Sequence, residues 1–287
     1  PSSAARNGRG TVSRRRNRLW LVGLMTIQMG TCPSDHPHNH QAHQSRAFFL
    51  EFTMNIFIDI ETIPAQRPDV LEEIKASIKA PAVYKKPESI AEWMRTEGPA
   101  AIDEAYRKTG LDGAYGQVCV VGLALDDGAP VTIFEHDWQK PNAERVILEA
   151  LSCQLTDWIP RSGEFTTCMI GHNVSAFDLR FLSQRCIVNG IRPHITLARA
   201  ASAKPWESEK VFDTMVQWTG SANVRASLDK LCKALSIKTP KGDITGATVW
   251  DAVQAGRIAD VAAYCAGDVA ATREVHRRMT FQTALAA

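Results

Sequence analysis

The stretch "FIDIETIP", residues 57–64, sets two acids, Asp59 and Glu61, among apolar residues and stops at Pro64. Together with the residues before it, "NIFIDIE" (55–61) reads as a β-strand. Side chains two apart on a strand share a face, so both carboxylates point the same way. Phe57, Ile58, Ile60 and Ile63 are too apolar for a solvated strand. Two like charges buried together repel, and burying them unpaired is costly. A divalent cation removes both problems. For a D-x-E pair taken alone, an exposed edge strand or ion pairs with Lys or Arg are the plain alternatives.

Downstream, strand and helix patterns alternate. A charged helical stretch covers 66–110. "QVCVVGLAL" (117–125) and "PVTIFEH" (130–136) flank "DDG", a hairpin signal. Residues 142–159 repeat Val146, Leu148, Leu151, Leu155 and Trp158 at helical spacing. "TTCMIGHN" (166–173) is a short strand. "SAFDLRFLSQRCIVNG" (175–190) reads as a helix with a Ser cap and a Gly stop. "KVFDTM" (210–215) is a further strand, and three helices follow, over 226–237, 243–256 and 257–279. This order predicts a three-layer α/β domain with a mixed sheet flanked by helices, and the 64–116 segment is an insertion between the first two strands.

Residues 1–53 differ in composition. They hold seven Arg, no Lys and two acids, whereas the remainder carries 26 basic and 29 acidic residues. The body therefore shows no global basic footprint for nucleic acid, and a polyanion must be handled locally, by a few cations or by metal ions. The expectation is a disordered N-terminal extension with Met54 as the true start. A targeting peptide at 14–25 and a metal-binding tail at "HPHNHQAH" (36–43) are the alternatives. Seven dispersed cysteines without a CxxC pair suit a reducing compartment, taken as cytoplasmic. No apolar run reaches the ~18 residues of a membrane span.

Two further acids sit on apolar elements. Asp178 lies in the first turn of a helix that follows a strand end, where the helix dipole favours a carboxylate and α/β folds place ligands. In "YCAGDVAATREV" (264–275), Tyr264 and Asp268 are four apart and share one helix face. Each precedes a residue of the apolar stripe Ile258, Val261, Ala262, Cys265, Val269 and Thr272, which puts both on the shoulder of the buried face. Each motif alone is unremarkable. Together, four ionised carboxylates facing one sheet imply roughly two divalent cations with oxygen ligands, Mg²⁺ or Mn²⁺, the apparatus of phosphodiester cleavage.

The motifs D-x-E (Asp59, Glu61), N-x3-F-D (Asn173, Phe177, Asp178) and Y-x3-D (Tyr264, Asp268), in this order, resemble the DEDD 3′–5′ exonuclease superfamily of RNase H-like fold. The tyrosine marks the DEDDy branch. The surrounding residues resemble stand-alone predicted exonucleases related to the proofreading domain of family B DNA polymerases, over about residues 54–281. The resemblance implies that Asp59, Glu61, Asp178 and Asp268 hold two Mg²⁺ or Mn²⁺ ions and that Tyr264 orients the attacking water. It implies release of nucleoside 5′-monophosphates from nucleic-acid 3′ ends, single-stranded DNA being favoured. Ile60 and Thr62, through their backbone, and Asn173 and Phe177 become expected substrate contacts, although Ile60 and Phe177 also suit a purely packing role. An exoribonuclease of the same superfamily and a non-catalytic nucleic-acid-binding module are the competing readings. Asp213 reads as a cap more readily than as a ligand, and His172 as a hydrogen-bonded strand end. Lys238 and Lys241 read as loop cations. Trp93 with Lys85 and Lys86 reads either as a helper for single strands or as a helical cover.

Overall fold

The computed structural model describes residues 52–159, 165–204, 206–221, 223–239 and 242–282. The expectations for residues 1–51, including the histidine-rich tail, and for Lys241 lie outside the described residues. Phe52 and Thr53, assigned by sequence to the extension, begin the first strand.

That strand, β1 (Phe52–Ile63), is the centre of a five-stranded sheet. It pairs antiparallel with β2 (Gln117–Leu125) and parallel with β4 (Phe165–Gly171); β3 (Val131–Phe134) and β5 (Val211–Asp213) form the edges. The order β3-β2-β1-β4-β5, with β2 antiparallel to both its neighbours, is the RNase H-like arrangement.

The two faces of β1 are divided by the two-residue period of the strand. Ile56, Ile58 and Ile60 pack with Val121, Leu123 and Met169 against α4 (Ala143–Trp158) and α5 (Asp178–Val188), through Ile147, Leu151, Leu155, Leu179 and Leu182. On the other face, α9 (Val249–Gln254) and α10 (Ile258–Met279) cover Ile63, Val120 and Cys119. Further along this face Val269 of α10 meets Phe57, Ala124 and Ile170. Helices on both faces make the three layers expected from the sequence.

Several local readings change. The 66–110 stretch is three helices, α1 (Pro68–Ser77), α2 (Pro87–Thr96) and α3 (Gly98–Lys108), each with a proline at its first or second position. Proline starts a helix well and does not continue one, so the chain restarts at each. The insertion returns to the sheet through Thr109, whose hydroxyl accepts from the Ala65 N–H at 2.9 Å, and through Tyr106, whose hydroxyl donates to the Ala65 carbonyl at 2.8 Å.

The helix expected from Ser175 starts at Asp178 instead. Two short helices, α6 (Ile195–Ala201) and α7 (Thr214–Thr219), were not expected, and β5 is only three residues long. Asp213 explains α7: its carboxylate accepts from the Met215 and Val216 N–H groups, an N-cap that ends the strand and opens the helix. The next helix, α8 (Leu228–Ala234), is capped by Ser227.

Candidate active site

Asp59 and Glu61 stand opposite Gly122 and Val120 of β2 and share a face, as their spacing requires; that face meets α10. An irregularity in the pairing follows between Glu61 and Thr62. Gly122 is the reason α10 can come so close. A Cβ there would lie 2.8 Å from Cys265 Sγ and 3.0 Å from Val269 Cγ2, so only glycine leaves room for the helix. Across that contact Cys265 Sγ comes within 3.4 Å of Asp59 Oδ2.

Asp178 arrives from the other side of β1. The pairing of β1 with β4 ends at Phe57 and Ile170, which leaves later N–H groups of β1 without a strand partner. Asp178 Oδ1 takes the Ile60 N–H at 3.0 Å and is buried. The turn that carries it is set by Asp213, whose two carboxylate oxygens accept from Asn173 N–H and Ser175 N–H, both at 3.0 Å. These bonds hold residues 173–175 out of a helix, with Asn173 at φ +62°, and so delay α5 to Asp178. Asp213 is thus a clamp and a cap, the structural one of its two readings.

The electrostatics of the group are strained in one direction. Burial first, and the neighbouring carboxylates next, hold Asp59 and Glu61 well above the ordinary carboxylate range. Asp59 feels Asp178, Glu61 and Asp268; Glu61 feels Asp268 and Asp178. Burial pushes Asp178 up to about 7, partly offset by N–H groups of its own backbone and of Ile60. Asp268 is raised by burial and eased by Tyr264. The Tyr264 phenol is raised by burial and then by Asp268 and Glu61. Among the described residues, the charged groups that act on these four acids are other acids.

Asp59 and Glu61 therefore lie within electrostatic reach of Asp178 and Asp268, and Tyr264 lies with them. A hard divalent cation fits this donor set. It would neutralise repulsion that no Lys or Arg among the described residues relieves, and carboxylate oxygens are its usual ligands. One donor atom each of Asp59, Glu61 and Cys265 lie within 4.8 Å of one another. A cavity of about 410 Å³ opens beside Tyr264 and Asp268.

The expected substrate contacts divide. The Ile60 side chain is buried in the core on the opposite face, and its N–H is spent on Asp178. Thr62 donates its hydroxyl to the Gly110 carbonyl at 2.7 Å. Phe177 lies against Phe181, ring centroids 5.5 Å apart, at the edge of the core. Asn173 Oδ1 is buried and has no hydrogen-bond partner among the described residues. His172 bridges Thr214 Oγ1 at 2.9 Å and the Ala226 carbonyl at 2.8 Å, the strand-end role expected of it. Lys238 lies on the loop after α8, and Trp93 borders a surface hollow with Tyr84 and Glu88.

Sequence reasoning overlooked two members of the site. Cys265 was assigned only to the apolar stripe. Gly122 carried a readable signal, since an isolated glycine inside an apolar strand marks a close approach.

Residues 153–285 match a family model described as a predicted 3′–5′ exonuclease related to the exonuclease domain of PolB. The resemblance read from the three motifs is to this family. The matched span contains Asp178, Tyr264 and Asp268; Asp59 and Glu61 precede it. A search of curated proteins returned no match. Among solved structures, the family B DNA polymerase from the hyperthermophilic archaeon Pyrobaculum calidifontis is similar at 14% identity with a TM-score of 0.47. That likeness covers 79% of this chain and 24% of the polymerase. Among the described residues, no helix is long and apolar enough to cross a membrane.

Proposed function

We propose that the protein is a divalent-metal-dependent 3′–5′ exonuclease that removes nucleotides from nucleic-acid 3′ ends, with single-stranded DNA as the favoured substrate. One observation carries this reading. Asp59 and Glu61 on β1 feel the charges of Asp178 on α5 and Asp268 on α10, and all four have raised proton affinity without a cationic partner among the groups acting on them. A structural role rewards none of that repulsion. The family description points to the same chemistry.

Asp59, Glu61 and Asp268 would hold the cations, joined by the Asp178 oxygen not spent on Ile60. When bound, two Mg²⁺ or Mn²⁺ ions supply an acidified water and charge stabilisation at the leaving oxygen. The chain itself does the positioning. β1 is rigid because both its neighbours and both its faces are packed, which keeps Asp59 and Glu61 in register. Tyr264 remains protonated at neutral pH, since its pKa is raised further above its ordinary value near 10. It is therefore a hydrogen-bonding group that orients water, not a base. The open cavity beside Tyr264 and Asp268 gives a strand end its approach.

The test uses 3′- and 5′-labelled single strands of DNA and RNA with Mg²⁺, Mn²⁺ or EDTA. Stepwise 3′ shortening that needs the ion and falls by about 10²–10³-fold in Asp59→Asn is expected. Shortening unaffected by Asp59→Asn defeats the mechanism. Binding to strands without shortening would favour a non-catalytic module, and a preference for RNA would make it an exoribonuclease.

A further inference from the structure

Cys265 adds sulfur to an otherwise all-oxygen donor set. Its Sγ lies 3.4 Å from Asp59 Oδ2 and 3.6 Å from the Asp59 carbonyl oxygen. Zinc bonds of about 2.0–2.3 Å at the tetrahedral angle separate two donors by about 3.3–3.8 Å. The Asp59–Cys265 pair already has that separation, and a Glu61 oxygen lies within 4.8 Å of both.

Glu61 also points to a ligand. The residue is only 8% exposed, and among the described residues no hydrogen-bond donor reaches its carboxylate. Buried carboxylates are otherwise bonded or paired. This one meets no donor, and one of its oxygens lies within 4.8 Å of the Asp59 and Cys265 donor atoms. The thiol is fully buried at its post, pressed between Gly122 and Asp59.

We propose that Asp59, Glu61 and Cys265 form a mixed oxygen–sulfur site for a thiophilic divalent cation of the zinc class, whose occupation excludes Mg²⁺ or Mn²⁺ and silences the centre. Thiolate favours zinc-like ions, whereas Mg²⁺ and Mn²⁺ prefer oxygen. Binding exchanges the S–H bond for a sulfur–metal bond and releases the proton to solvent. The ion on sulfur takes the same Asp59 and Glu61 oxygens that Mg²⁺ needs, so the two occupancies exclude each other. The silencing rests on the exonuclease reading; the metal site does not.

The full-length chain is titrated with Co²⁺, a spectroscopic substitute for Zn²⁺. A thiolate-to-cobalt charge-transfer band is expected in the wild type, reversed by Zn²⁺, and lost in both Cys265→Ser and Cys265→Ala. Either variant should bind Zn²⁺ at least about tenfold more weakly. Circular dichroism establishes that the variants fold. No band in the wild type, or a band of equal strength in the variants, overturns the site. Zn²⁺ should inhibit Mg²⁺-supported shortening at a concentration at least about tenfold lower in the wild type than in Cys265→Ser; equal inhibition overturns the silencing. Absence of any Mg²⁺-supported shortening, with the cobalt band intact, defeats the exonuclease reading and leaves the metal site standing.

Discussion

Buried acids lie on both faces of this sheet, and they are treated in opposite ways. On the α4–α5 face, Glu144 and Arg185 are 7% and 5% exposed. Arg185 donates Nε and Nη2 to the two Glu144 oxygens at 2.8 and 2.7 Å. The Val118 N–H and the Asn189 amide occupy the remaining acceptor positions at 2.9 and 2.8 Å. Arg185 Nη1 also reaches the Gly113 carbonyl at 3.2 Å, which anchors the end of the insertion. On the α10 face, Glu61 is as buried as Glu144, but among the described residues neither a cation nor a hydrogen-bond donor reaches its carboxylate. A carboxylate whose lone pairs are all matched holds the fold together; one left unmatched among other acids is what the proposed cation would match. Burial alone would not have separated the two.

The contrast is broken most severely at the matched pair. Arg185→Met leaves Glu144 buried without its cation and should cost about 3–5 kcal/mol in chemical denaturation. A loss under about 1 kcal/mol would mean that Glu144 is not held as described. At the unmatched site the direction reverses, because adding a charge should help. Saturating Mg²⁺ or Mn²⁺, at about 100 times its Kd, should stabilise by about 2.7 kcal/mol and raise the melting temperature. Asp59→Asn should remove most of that rise, and Arg185→Met should not. An identical shift in wild type and Asp59→Asn would break the comparison.

The approach of α10 gives a smaller effect. Gly122→Ala crowds Cys265 and Val269 and should cost about 1–3 kcal/mol, together with a weaker response of the melting temperature to Mg²⁺. A stability cost without a weaker metal response would mean that Gly122 serves packing only.

A further effect is the pH slope of the metal-free protein. Asp178 holds its proton up to about pH 7 when folded but releases it near 4 when unfolded. Between those values the folded state binds more protons, so stability is full below about pH 4 and declines as pH rises through 7. Asp178→Asn, whose amide oxygen still accepts from Ile60, should lessen the decline, Asp59 and Glu61 keeping a share of it, and saturating Mg²⁺ should reduce it. A melting temperature that rises through this window in the wild type and falls in Asp178→Asn would reverse the sign and sink the account.

The sheet and its two helical layers were legible because their signals are local. Alternation along 55–61 and the apolar stripe of 258–272 name the buried faces without knowledge of any partner. Pro68, Pro87 and Pro99 also marked the three helix starts of the insertion, a signal that the charged helical pattern obscured. Ser175 misled, because a helix N-cap was the right residue type in a turn that Asp213, 38 residues away, holds open.

The sequence by itself determined that Asp59 and Glu61 share a face and that Tyr264 and Asp268 sit together on a shoulder of α10. These follow from the strand period of two and the helix period of 3.6 residues. Tertiary structure alone decided which face of the sheet α10 covers, that Asp178 spans 118 residues to the Ile60 N–H, and that Cys265 spans 206 to meet Asp59. Contacts of that range depend on where β4 leaves β1 and on the room Gly122 makes for a helix. Neither is a property of any local pattern of side chains.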